Sequence, residues 1–184
     1  NELKALRAQI DPHFIFNSLS SIQSFIMSKD EDSALRYLNK FAKLMRMILS
    51  NSEKSSITIR EELDSLKLYM ELESLRWENK FEYSLEVDSK VEIDFHKIPS
   101  MLIQPYVENA IIHGVIPKTD GSGKIGISIS QTDTHIICMI QDNGIGRKKS
   151  QELRTKTNQS LHESMGMKIT HERLEVLNKI HHSN

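Results

Sequence analysis

At Phe81 the hydrophobic pattern of this chain changes period, and that change limits the folds open to it. Before it, apolar residues recur at steps of three and four: Leu35, Leu38, Phe41, Ala42, Met45, Ile48 and Leu49 in one stretch, then Leu63, Leu66 and Met70 with Leu68, Leu72 and Leu75 in the next. That is the spacing of amphipathic helices. From Phe81 on, Phe81, Tyr83, Leu85 and Val87 alternate with Glu82, Ser84 and Glu86, the period of a strand buried on one face. Val91, Ile93 and Phe95 repeat the alternation, as do Ile125, Ile127 and Ile129, and the continuous run Ile136 to Ile140 reads as a more central strand. A helix is expected from Pro99 to Gly114. Helices followed by a sheet with helices on one side predict an α+β chain, a helical hairpin leading into a two-layer α/β sandwich.

Local signals place the boundaries. The first helix is expected over residues 1 to about 28, bent at Pro12, with Lys29 to Ser33 as a charged connection. After a polar loop at Asn51 to Ser56, Thr58 with Glu61 forms a capping box, opening a helix that runs to about Glu78. Two helices rarely close a core of their own and four do, so the stripe from Leu35 to Leu49 predicts a homodimeric bundle. The organisation expected is residues 1–56 as a helical dimerisation segment, 57–80 as a connecting helix and 81–184 as the α/β domain. The chain of 184 residues begins without Met, already in helical phase, and ends without a closing element, which reads as a fragment of a longer protein.

Composition narrows the function. Lys plus Arg number 24 and Asp plus Glu 25, a balance that gives no electrostatic footprint for nucleic acid or an anionic membrane. Cys138 stands alone, so neither a disulfide framework nor a cysteine metal site is available, and a reducing compartment fits. No run of about 18 apolar residues spans a bilayer, and no signal peptide precedes the first helix. The chain as given is expected to be soluble.

Two regions carry chemistry. Near the start, Gln9-Ile10-Asp11-Pro12-His13-Phe14-Ile15-Phe16-Asn17 sets a histidine beside a proline. On an ideal helix Asn17, Ser20 and Ser24 fall within about 40° of His13, while Ile15, Leu19, Ile22 and Ile26 lie on the far side. His13 thus sits on a polar stripe, as a nucleophile, a ligand or an ordinary surface histidine. In the second half, Glu108, Asn109 and His113 converge by helical spacing, and the Asn109 amide suits a magnesium ion that keeps its waters. A helix with some polar residues reads equally well. Asp142-Asn143-Gly144-Ile145-Gly146 follows a strand directly, where a carboxylate can accept from an exocyclic amine and glycines let backbone approach a ligand; the same run is also a plain turn. Arg147, Lys148, Lys149, Arg154 and Lys156 lie in a polar segment that is either a lid over phosphates or a solvated loop. Met165-Gly166-Met167 opens a helix whose first turn offers N–H groups to an anion.

The run from Gln9 to Asn17, continued by Ser18-Leu19-Ser20-Ser21-Ile22, resembles the phosphoacceptor helix of LytS/YehU-type bacterial sensor histidine kinases, whose hallmark is Pro-His-Phe-hydrophobic-Phe-Asn. The segment from Glu62-Leu63 through Tyr69-Met70-Glu71-Leu72-Glu73 to Arg76-Trp77 is similar to that family's interdomain link. The later blocks, taken in order, resemble the N, G1 and G2 boxes of the Bergerat (GHKL) ATP-binding fold, incomplete here at its C-terminus.

The resemblance implies that His13 accepts the γ-phosphoryl group of ATP and passes it to a response-regulator aspartate. It also implies that Asn109 binds magnesium, Glu108 and His113 flank the phosphates and Asp142 bonds the adenine amino group. Gly144 and Gly146 would shape the adenine pocket, Gly166 would sit at the triphosphate, and Lys148 would act from the lid. Asn17 would position water for the reverse hydrolysis. Phe14 stands where many histidine kinases carry an acidic residue, leaving Asp11 as a weak candidate for a base. Ile112, Ser164 and Ile169 also depart from the usual boxes and favour a rival, a nucleotide-binding scaffold without phosphoryl transfer; a second rival is an ATPase using Glu108 on water. The expected setting is the cytoplasmic part of a bacterial protein whose membrane region lies upstream of Asn1.

Overall fold

The computed structural model describes residues 12–146. The order of elements is α1 (Pro12–Met27), α2 (Glu31–Ser52), β1 (Ile57–Thr58), α3 (Ile59–Arg76), β2 (Phe81–Val87), β3 (Lys97–Ile98), α4 (Gln104–Asn109) running into a π-helical turn (Ala110–Val115), β4 (Gly123–Gln131) and β5 (Ile136–Asp142). The chain is α+β, with helices first and the main sheet after them.

Helices α1 and α2 form a hairpin whose connection is only Ser28 to Asp30, shorter than the charged stretch suggested, because Asp30 caps α2 by accepting from the Ser33 N–H at 3.1 Å. The inward face of α1 is not the Ile15, Leu19, Ile22, Ile26 stripe. Phe14 and Ser18 are buried, Ile22 and Phe25 pack partly against the core, and Leu19 and Ile26 stay exposed. Phe14 sets this rotation: its ring lies 5.3 Å from Tyr69 of α3 and 6.1 Å from Phe41 of α2.

Helix α3 is buried almost all round. Its capping box forms as expected, Thr58 N–H donating to Glu61 Oε2 at 2.8 Å and Glu61 N–H to Thr58 Oγ1 at 3.2 Å. It ends two residues early, since Glu78 (φ 52°) and Asn79 (φ 57°) adopt the left-handed conformation that stops a helix. The expected strand at Val91 to Phe95 does not form. Those residues turn back on themselves, and the carbonyls of Ile93 and His96 accept the Arg60 and Ile59 N–H groups, each at 3.0 Å. Residues 91–96 thus satisfy donors that the start of α3 would otherwise leave orphaned. Strand β1 pairs antiparallel with β3 at the same place.

The main sheet has the order β2-β4-β5, with β2 parallel and β5 antiparallel to β4. Gly123, Ile125, Ile127 and Ile129 point inward from β4, and Tyr83, Leu85 and Val87 lie opposite the last three. The run Ile136 to Ile140 is not the central strand: among the described residues β5 is last in order, with Ile136, Ile137 and Met139 exposed. One buried cluster extends from Phe14 to Ile129 and joins hairpin, α3 and sheet.

Candidate active site

Three elements meet at His13. Exposed on the first turn of α1, it lines a narrow cleft of about 30 Å³ together with Asn17 one turn later; α3 contributes Tyr69, Glu73 and Arg76, and α4 with its π turn contributes Glu108 and Ile112. The cleft brings His13 and Asn17 of α1 together with Glu108 of α4, residues far apart in the sequence. A larger groove of about 320 Å³ between α2 and α3 is lined by Arg46, Lys54, Glu61 and Asp64 and touches none of the predicted residues.

Two carboxylates missed as site residues organise the surroundings. Glu73 is buried, accepts from Arg76 Nη1 at 3.3 Å and from Trp77 Nε1 at 3.1 Å, and is held above the ordinary carboxyl range by burial, which the Arg76 charge offsets only in part. The Arg76 guanidinium lies 4.8 Å from the Trp77 ring centre. Glu62, also buried, accepts from the Met101 and Ile103 N–H groups at 3.0 and 2.9 Å, and so fastens α3 to the start of α4. Met101 holds φ at 61° beneath that clasp. Both glutamates fall on helical positions whose neighbours are apolar, which is the signal available in sequence: a charged residue at a core position requires a partner.

On α4, Gln104 is buried and donates to Glu108 Oε1 at 3.1 Å. The helix then widens. The π turn carries Ile112 out to the cleft and leaves Asn109 and His113, both half-buried, one wide turn apart; such turns recur at functional positions. Its far end packs on the Asp142 loop. A Cβ on Gly144 would stand 2.3 Å from the carbonyl carbon of Gly114, and one on Gly114 would stand 2.8 Å from Asp142 Oδ1, so both glycines are required for the approach. Ile145 N–H donates to the Gly114 carbonyl at 3.1 Å, and Asp142 Oδ1 accepts from Gly144 N–H at 2.9 Å. Asp142 Oδ2 remains open among the described residues. Gly146 has φ 78°. Lys148, Gly166, Asp11, Ser164 and Ile169 lie outside the described residues.

Among the described residues no group of three or more His, Cys, Asp and Glu side chains could hold a metal ion. Among the same residues, no helix is long and apolar enough to cross a membrane.

Residues 1–81 match the histidine kinase family model. The chain is 32% identical over 176 residues to the sensor histidine kinase YpdA of Escherichia coli K12, covering 96% of this chain and 30% of that protein. It is 34% identical over 148 residues to the sensor histidine kinase/phosphatase LytS of Staphylococcus aureus Mu50, covering 80% of this chain and 25% of that protein. It therefore spans less than a third of the length of these relatives. The Pro12-His13-Phe14 run, the link helix and these matches agree: the chain matches the histidine kinase family over residues 1–81 and is similar to sensor histidine kinases over most of its length.

Proposed function

We propose that this chain autophosphorylates His13 with ATP and magnesium and hands the phosphoryl group to an aspartate of a response-regulator receiver domain. The observation that carries this reading is the helix shared by the two halves of the site: Glu108 at one end lines the His13 cleft, and Gly114 at the other packs on Asp142. The step from Glu108 to Gly114 spans about 9 Å at helical rise, and less where the turn widens. A nucleotide with its adenine amine on Asp142 Oδ2 would run its phosphates back along this helix, past His113 and Asn109, toward His13.

In this reading Asn109 supplies the protein oxygen to magnesium, which neutralises phosphate charge when bound, and Gly144 and Gly146 shape the adenine pocket. Gly166 and Lys148 complete the phosphate site. A neutral His13 nitrogen attacks the γ-phosphorus, the bond to the β-phosphate oxygen breaks, ADP leaves and the other ring nitrogen releases its proton. Positioning supplies most of the rate. Asn17 orients water for hydrolysis of the phosphohistidine, in keeping with the phosphatase activity that the LytS relative carries in its name. The exposed Phe16, Leu19, Leu35, Leu38 and Leu49 of the hairpin support a homodimer, and membrane association would come only from a region upstream.

Labelling with γ-labelled ATP and magnesium tests the proposal. The native chain should gain an acid-labile, alkali-stable label that His13→Ala abolishes and Asn109→Ala lowers by about a hundredfold. ATP binding without label would support the scaffold, and phosphate release unaffected by His13→Ala would support the ATPase.

A further inference from the structure

We propose that Arg76 is the counter-ion of the phosphoryl group carried by His13, an inference that rests on the function proposed above. Arg76 is the one cation lining the His13 cleft among the described residues; the other titratable groups there are Tyr69, Glu73 and Glu108. Converting an imidazole to a phosphohistidine adds a dianion to a narrow space already holding two carboxylates, and one fixed cation is the minimum the site needs.

The geometry around Arg76 suits that task. Only Nη1 is engaged by Glu73, at 3.3 and 3.4 Å to its two oxygens. The guanidinium is steadied by the Trp77 ring, while Nε and Nη2 make no hydrogen bond among the described residues. The Arg76 side chain is 19% exposed and lines the cleft, so its remaining donors are largely shielded from bulk water. A guanidinium held by one nitrogen and one ring face keeps a second edge for phosphoryl oxygens. Glu73 thus acts as a positioning residue, buried and fixed by the Trp77 N–H.

The consequence is chemical. Phosphohistidine hydrolyses faster when its ring is protonated, because breaking the phosphorus–nitrogen bond then releases neutral imidazole and not imidazolate. An uncompensated phosphoryl dianion holds that proton on the ring; an arginine on its oxygens releases it. Arg76 therefore prolongs the life of the phosphohistidine and leaves its phosphorus open for a receiver aspartate.

The test loads the phosphoryl group without ATP. With phosphoramidate, the His13 nitrogen forms its bond to phosphorus as the phosphorus–nitrogen bond of the reagent breaks; ammonia leaves, and the ring releases its proton. The His13 signal is the phosphorus resonance lost in His13→Ala, and its pH titration and decay are followed by NMR in the full chain. Arg76→Gln should titrate at higher pH and decay about three- to tenfold faster at neutral pH, with Arg76→Lys intermediate. The double variant Glu73→Gln/Arg76→Gln, which leaves no buried carboxylate unpaired, should behave as Arg76→Gln does. Native titration and lifetime in the double variant would overturn the proposal, whether or not Arg76→Gln alone was altered. Failure of ATP labelling alongside an intact Arg76 effect would overturn the kinase reading only. Normal ATP labelling without an Arg76 effect would overturn this one only.

Discussion

At the scale of single residues, the site depends on buried charge and on missing side chains. Glu73 is held above its ordinary value of 4.5 by burial, with Arg76 and Trp77 pulling the other way. The native chain therefore binds this proton more readily than the unfolded chain does. Its favourable contribution is fully present below about 4.5 and is lost as pH rises through the raised native value. Across urea titrations from about pH 4 to 8, the native chain should lose stability relative to the Glu73→Gln variant as pH rises, by about 1.4 kcal/mol for each tenfold difference in proton affinity between the native and unfolded carboxyl. A gap that stays constant with pH would show that the carboxyl ionises normally. The glycines differ from one another. Gly144→Ala forces backbone against backbone at Gly114 and should cost about 3 kcal/mol or more together with nucleotide binding, whereas Gly146→Ala meets nothing among the described residues and should cost about 1–2 kcal/mol through its positive φ. Chemical denaturation and nucleotide titration of both variants check the order.

At the scale of elements, α3 and the start of α4 are clasped together. Glu62 receives two N–H groups from the segment that opens α4, and this clasp holds Met101 in a left-handed conformation that a non-glycine residue adopts at a cost. Glu62→Ala should leave those donors buried without a partner, lower stability by about 2–4 kcal/mol and weaken nucleotide binding through the displaced Glu108 and Asn109. Denaturation midpoints with and without nucleotide separate the two effects, and unchanged binding where the variant is still fully folded would show that the clasp serves the fold only.

This joint also marks where sequence reasoning succeeded and failed. The capping box at Thr58, the strand at Phe81 and the inward isoleucines of β4 follow from local chemistry and were legible. Residues 91–96 alternate like a strand, yet their carbonyls are drawn to the start of α3, a tertiary demand that periodicity does not contain. Which residues of α1 face inward was not legible for a similar reason, since the tilted contact of Phe14 with Tyr69 decides it. The π turn after Asn109 was invisible in spacing. Of the site, His13, Asn17 and Glu108 were named from sequence and line one cleft, but Glu73 and Arg76 passed for link-helix packing because their role depends on which helix lies opposite.

At the scale of the whole molecule, the hairpin carries apolar surface that the described residues leave exposed. Helix α2 turns Tyr37, Leu44 and Ile48 inward, while Leu35, Leu38 and Leu49 remain exposed on its other side, and α1 adds Phe16 at 68% and Leu19 at 51% exposure. Scattered exposed leucines are ordinary; a row of them at helical spacing on two adjacent helices is a surface that a second copy could cover as a bundle seam. Burying it against a second copy would leave the inward contacts of Phe14 and Tyr37 intact, so the α1–α3 cleft survives assembly. The prediction is a dimer by sedimentation equilibrium. Leu35→Lys/Leu38→Lys should shift it toward monomer by at least about tenfold in dissociation constant, because each lysine places a charge where a fully buried leucine side chain contributes about 1.5–3 kcal/mol. The same double variant should keep its cleft and its response to phosphoramidate. If it stays dimeric, the seam lies elsewhere. If it becomes monomeric and still labels His13 from ATP at a rate independent of protein concentration, each chain phosphorylates itself; if labelling is lost with the dimer, the phosphoryl group crosses between chains.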